Sequence, residues 1–258
     1  MSADFPDYWH LASLIVPDRN HKSFFVASVV SAVEPVEFPL PNGGEAFWLD
    51  DRTVGYVVDD EESKTAGLYS LSVHLTDASL DLTPDPLPAP LGTFPPASSP
   101  SSFRYAAKAG VLVFSDSVYE DGDLTKVLEN DERWENRGDN ALVYDETYER
   151  HWDTWTGPKR PSLFTVKLFK DASGKRWHFG DRFYNVLNGT GHVRSWLLSS
   201  FLALLTLDQH APVEPFGGAN DYDVSENYIV YTTKDPGLPE AWHTKQNVRT
   251  PTPFHILA

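Results

Sequence analysis

The stretch Ala46–Leu75 constrains the fold more than any other part of the chain. Ala46-Phe47-Trp48-Leu49 predicts a short strand, Asp50-Asp51-Arg52 a turn, and Thr53–Val58 a second strand of β-branched and aromatic residues. The charged run Asp59–Gly67 predicts a loop and Leu68–Leu75 a third strand. In that third strand Leu68, Ser70, Ser72 and His74 lie on the face opposite Tyr69, Leu71, Val73 and Leu75, because side chains alternate along a strand. Strands this closely spaced and joined by acidic turns form an antiparallel meander. One such unit of about forty residues has the size of a propeller blade.

The rest of the chain repeats this plan loosely. Ser2–Asn20 is weakly patterned, Phe24–Val33 predicts a strand, and Pro35, Pro39 and Pro41 with Asn42-Gly43-Gly44 predict a connection. Thr76–Pro100, rich in Pro, Ala, Ser and Leu, predicts a long linker or inter-blade connection. Phe103–Ala107 and Gly110–Ser115 predict two strands about a Lys108-Ala109-Gly110 turn. Val118–Asn140 is highly charged, with Leu124, Val127 and Leu128 at helical offsets, and fits a short helix or a loop excursion. Ala141–Tyr148 fits a helix or a strand. Leu163–Leu168, Tyr228–Thr233 and Trp242–Arg249 predict further strands, with turns at Asp171–Gly174, Asn185–Gly191 and Lys234–Pro239. Roughly three to five blade-sized units are expected, and the chain's end favours an incomplete ring.

Asp139–Asp153 predicts a packed corner between strands. Tyr148, Trp152 and Trp155 supply apolar area, and Arg150 has a planar fork suited to Asp145 or Asp153. His151 and Asp153 stand two apart, so on a strand they share a face and an acid–base pair is geometrically available. No nucleophile stands nearby in sequence, and the structural reading of His151, holding the corner, is preferred. Arg150 is read the same way, paired with a local Asp.

Composition and motifs exclude several classes. The net charge is -16, from 37 acidic and 21 basic residues, which repels nucleic-acid phosphates and anionic membranes, so neither partner is expected. Cysteine is absent, which removes disulfides, thiolate nucleophiles and cysteine metal sites. Trp196–Leu207, the longest apolar-looking run, is too short to span a bilayer. Met1–His10 lacks the basic and apolar regions of a signal peptide, and no compartment is assigned. Gly-x-Ser-x-Gly, Gly-x-Gly-x-x-Gly, a phosphate-binding loop and His-Glu-x-x-His are all missing. Asp59-Asp60-Glu61-Glu62 and Glu129-Asp131-Glu132 do not match a calcium loop and read as solvated charge. Asn188-Gly189-Thr190 fits a glycosylation acceptor, relevant on a secretory route. No catalytic, cofactor-binding or metal-ligating residue is assigned, and no cofactor is expected.

Several motifs taken together carry a resemblance. Val143-Tyr144-Asp145, Arg150-His151-Trp152-Asp153-Thr154-Trp155, Pro215-Phe216-Gly217-Gly218, Asp221-Tyr222-Asp223-Val224-Ser225 and Glu240-Ala241-Trp242-His243-Thr244-Lys245 resemble the fungal dipeptidyl-peptidase V group. That group lies within the prolyl oligopeptidase (S9) family of serine peptidases, and the resemblance runs from about Ala46 to the end. It implies an N-terminal β-propeller that filters access to a C-terminal α/β-hydrolase domain carrying a Ser, Asp and His triad, which cleaves dipeptides from peptide N-termini. The expectation is an all-β, partial β-propeller of antiparallel meander blades over residues 1–258, without the α/β-hydrolase domain. Its role would be gating and substrate access, with peptide substrates met through that missing domain. His151 is not the triad histidine, since the family's lies near the C-terminus of the hydrolase domain. His192–His210 reads as an insertion, consistent with an unspliced or mispredicted gene segment, which transcript sequencing across it tests. A stand-alone propeller acting as a protein-binding scaffold is the alternative, and a glycoside hydrolase with paired carboxylates a weaker third.

Overall fold

Apolar side chains alternate along the strands, and this alternation builds four antiparallel meanders. The computed structural model of the chain describes residues 9–16, 21–28, 34–40, 43–75, 79–84, 89–141, 150–151, 154–155, 157–174, 176–187, 220–234 and 245–250. The first sheet is β1 (Trp9–Val16), β2 (His21–Ser28) and β3 (Val36–Leu40). The second runs β4 (Gly43–Asp50), β5 (Thr53–Asp60) and β6 (Thr65–Leu75). Its fourth position is shared by two short pieces, β7 (Leu80–Pro84) and β8 (Gly92–Thr93), which pair with different parts of β6.

The third sheet repeats that plan. It opens with β9 (Ser101–Ala106) and β10 (Val111–Val118). An excursion follows, with helix α1 (Val127–Glu135) and the small ladder of β11 (Arg150–His151) on β12 (Thr154–Trp155). The sheet resumes at β13 (Arg160–Lys170), whose outer edge is again shared by two pieces, β14 (Trp177–Phe179) and β15 (Tyr184–Asn185). The fourth sheet is β16 (Tyr222–Val224), β17 (Ile229–Lys234) and β18 (Gln246–Arg249). Every pairing among the described residues is antiparallel.

The sheets stack face to face, and each inner sheet gives one set of alternate residues to each neighbour. On β6, Ala66 and Leu68 face the third sheet while Leu71 and Val73 face the first. On β10, Leu112, Phe114 and Val118 face the second sheet while Val111 and Val113 face the fourth. The seam between the second and third sheets centres on the buried Phe94, whose ring lies 5.7 Å from Phe103, 5.2 Å from Phe114, 5.3 Å from Phe179 and 6.1 Å from Phe183. Between the first and second sheets Phe24, Phe38, Tyr56 and Tyr69 form a chain of ring contacts. Among the leading strands, β9 neighbours β4 and β16. The fold is therefore an all-β partial propeller, with α1 as its one regular helix among the described residues.

Several sequence expectations change. Thr76–Pro100, expected as a long linker or inter-blade connection, runs between the second and third sheets but is not a plain linker: it holds β7 and β8, and it brings Phe94 into the core. Outer pieces pair on one side only, so proline there costs no ladder bond. For the same reason the expected connection through Pro39 contains β3, where Pro39 stands opposite Ser23. The Asp59–Gly67 loop shrinks to a turn at 61–64, because the ladder persists to Asp60↔Thr65. The Asp60 carboxylate fastens that turn, accepting from Glu62 N at 3.0 Å and Ser63 Oγ at 2.7 Å. Ser2–Asn20, read as weakly patterned, contains β1. Val118–Asn140 holds a helix, as one of its two readings had it. The turns at Lys108–Gly110 and Asp171–Gly174 stand as expected, each closing on a glycine at positive φ (63° at Gly110, 69° at Gly174). Ala141 is described but 142–149 are not, and the His192–His210 insertion also lies outside the described residues.

Candidate functional site

Two β-bulges face each other across the leading strands of the second and third sheets. In β4 the register slips between Gly43 and Ala46, so Gly44 and Glu45 carry an extra residue against β5. In β9 it slips between Ser101 and Arg104, opposite Val113–Ser115 of β10, and Ser102 takes φ 59°. A bulge re-aims side chains and frees backbone groups from the ladder. Here it turns two successive N–H groups outward, and the carboxylate of Glu45 receives both. Ser102 N donates to Oε1 at 2.8 Å and Phe103 N to Oε2 at 3.1 Å. Successive N–H groups at an αL residue form a concave anion-binding nest.

The same bulge reaches the fourth sheet. Tyr222 Oη donates to the Ser102 carbonyl and lies 3.3 Å from the Val113 carbonyl. Arg104 donates to the Phe103 carbonyl at 3.0 Å and sits 5.7 Å from the centre of the Tyr222 ring. Burial pushes the Tyr222 hydroxyl well above its usual range; the Glu45 and Asp223 charges add to this, and Arg104 offsets part of it. The tyrosine therefore stays a neutral donor. Glu45, Ser102, Phe103, Arg104 and Tyr222 thus join three consecutive leading strands, β4, β9 and β16, in one polar cluster.

Two further carboxylates lie toward opposite ends of β13, Asp50 beside Lys170 and Asp116 opposite Ser162. At one end Asp50 pairs with Lys170 Nζ at 2.5 Å, and Lys170 lies 5.0 Å from the Trp177 ring. Burial would raise the Asp50 pKa, but bonds from Lys170, Arg52 N and Thr53 outweigh it, and the net shift is downward. Nearby, Tyr105 donates to the Leu168 carbonyl at 2.7 Å, and burial with the Asp50 charge pushes its hydroxyl up to about 12. At the other end Asp116 is 5% exposed. It accepts from Ser99 N at 3.1 and 3.2 Å and from Ser117 N at 2.7 Å. Burial pushes Asp116 up to about 6, against the lowering by those two amides and Lys159. Lys159 is itself 3.0 Å from Asp131, which also accepts from Tyr119 Oη at 2.8 Å.

The residues weighed from sequence fare differently. Arg150 and His151 lie on β11, with Arg150 opposite Trp155 and His151 opposite Thr154. Their side chains, with those of Asp145, Tyr148, Trp152, Asp153 and Trp155, lie outside the described residues, as does Asn188–Thr190. The Asp59–Glu62 run caps its own turn. Glu129 pairs with Arg133 at 2.7 Å, and Asp131 serves Tyr119 and Lys159. Among the described residues no group of three or more His, Asp or Glu side chains is placed to hold a metal. Among them, too, no helix is long and apolar enough to cross a membrane. Sequence reasoning missed Glu45, Arg104, Asp116 and Lys170. The Gly43-Gly44 pair before Glu45 was the available signal, since glycines at a strand's start mark bulges.

Comparison with known proteins points in one direction. No family model matches the chain. It is 31% identical over 108 residues to dipeptidyl-peptidase 5 of Schizosaccharomyces pombe, covering 41% of the chain and 13% of that protein. It is 28% identical over 211 residues to a probable dipeptidyl-peptidase 5 of Emericella nidulans, covering 79% of the chain and 25% of the relative. A probable dipeptidyl-peptidase 5 of Aspergillus clavatus is 26% identical over 202 residues, 76% of the chain and 24% of the relative. The chain is homologous to fungal dipeptidyl-peptidases 5, and it spans a quarter or less of the length of these relatives.

Proposed function

We propose that this chain is the propeller portion of a dipeptidyl-peptidase 5-like serine peptidase, of the prolyl oligopeptidase family. In this reading it governs which peptides reach the reacting groups and does not itself cut peptide bonds. The observation that carries the proposal is how much of each protein the similarity covers. It covers 79% of a chain built of stacked antiparallel meanders, yet only 25% of the relative. Serine peptidase chemistry needs an activated nucleophile with its base and an oxyanion site in register. The sequence has no nucleophile elbow. The polar clusters described above are carboxylates committed to amides, a lysine and tyrosines. Peptides are the substrate class in this reading, met jointly with the remainder of the parent enzyme.

The test is enzymatic. The purified 258-residue chain is incubated with chromogenic dipeptide substrates and with a fluorophosphonate probe. Neither turnover nor covalent labelling is expected. Joined in frame to the non-overlapping part of the Emericella nidulans relative, the chain is expected to support dipeptide release. Cleavage by the chain alone, with labelling of one of its serines, overturns the proposal.

A further inference from the structure

We propose that the bulged backbone at Ser102–Phe103 is a carboxylate-binding nest, that Glu45 is its internal ligand, and that an external carboxylate takes the place of Glu45 when that side chain is removed. The inference stands on geometry alone and does not depend on the peptidase reading. Both donors are backbone N–H groups of β9 that the bulge releases from pairing with β10. They are held on one side by the αL conformation of Ser102 (φ 59°), a residue only 9% exposed. The receiving shape is thus set by the third sheet's own backbone, independent of the group that fills it.

The occupant arrives from elsewhere. Glu45 belongs to the second sheet, 57 residues before Ser102, and reaches the nest from its own bulge beside Gly44. It uses both oxygens, one on each amide, so the recognised unit is a whole carboxylate. The surroundings suit an anion. Arg104 lies next in sequence, held by the Phe103 carbonyl and the Tyr222 ring, and Tyr222 fixes the bulge from behind through the Ser102 carbonyl. A neutral amide offers one acceptor oxygen where the nest presents two donors, so the class selected is the carboxylate. In the intact chain this makes the contact a clasp between β4 and β9.

Glu45→Ala tests the inference. The variant empties the nest and is expected to melt roughly 4–8 °C below the wild type. Acetate, formate or N-acetylglycine is expected to restore most of that loss, whereas chloride at equal ionic strength and N-acetylglycinamide are not. Hydrogen exchange reads the site directly: the Ser102 and Phe103 amides are protected in the wild type. In the variant in chloride they exchange at least about tenfold faster, and acetate slows them again. If the variant refolds poorly, its refolding yield in acetate against chloride reads the same difference. Equal effects of acid and amide, or of acetate and chloride, overturn the proposal, as does rapid exchange of both amides in the wild type.

Discussion

Asp116→Asn is expected to stabilise the protein at neutral and alkaline pH. Asp116 is a buried carboxylate whose two backbone donors and one distant cation do not compensate its desolvation, so its pKa rises from 3.8 to about 6. Below about pH 3.8 the group is protonated folded and unfolded alike and costs nothing. Between that value and about 6 the unfolded chain ionises while the folded one resists, so stability falls as pH rises. Above pH 6 the full penalty is present. A shift of about two units corresponds to about 3 kcal/mol at most. Oδ1 of Asp116 by itself already accepts from both Ser99 N and Ser117 N, so the single oxygen of asparagine can keep both bonds without a charge. The variant should therefore melt about 5–10 °C above the wild type at pH 8. By pH 4 most of this difference should be gone. Thermal unfolding of both proteins from pH 4 to pH 8 gives the two curves. Parallel pH profiles, or a variant less stable at pH 8, would refute the reasoning, because burial would then not be what perturbs this carboxylate.

Other substitutions probe the seam between the second and third sheets. Gly92→Ala places a methyl 2.1 Å from Phe179 Cδ1 and 2.8 Å from its Cβ, so β8 and β14 must part; a loss of about 1–3 kcal/mol in urea unfolding is expected, part of it returned by Phe179→Ala in the same chain. Phe94→Ala removes the ring that touches four other phenylalanines and should cost about 3–5 kcal/mol, read by the same unfolding titration. Lys170→Met removes the partner of Asp50, whose pKa is held down in the folded state. The ion pair therefore stabilises above pH 3.8 and is lost as pH falls through the folded pKa. The variant should be less stable by about 1 kcal/mol at pH 7, and the difference should shrink as pH falls below 3.8.

Legibility in the sequence follows the range of the interaction. The β5–β6 pairing and the turns at Asp50–Arg52, Lys108–Gly110 and Asp171–Gly174 are written in neighbouring residues: alternation, a side chain that caps its own turn, a glycine at positive φ. β7, β8, β14 and β15 are not written that way. They are two to five residues long, pair on one side, and owe their existence to the long strands β6 and β13 beside them. The leading-strand cluster is further from view. Glu45 and Ser102 stand 57 residues apart, and Tyr222 lies 120 from the carbonyl it meets. Among 37 acidic residues nothing local distinguishes Glu45 from its solvated neighbours except the two glycines before it. The aromatic corner at Arg150–Trp155 stands out by composition, yet composition carries no distances.

The divided outer edges of the second and third sheets have a consequence for how such a chain can change. A continuous fourth strand would bind its neighbour along its whole length, and any added residue would shift every later pair to the wrong face. Two separate pieces confine such a slip to one of them. Residues gained or lost at the interruption leave both short ladders in phase, and an edge with a gap is a poorer template for a foreign strand. The periphery can thus lengthen, shorten or diversify while the buried stacking of Phe94 and its partners stays as it is.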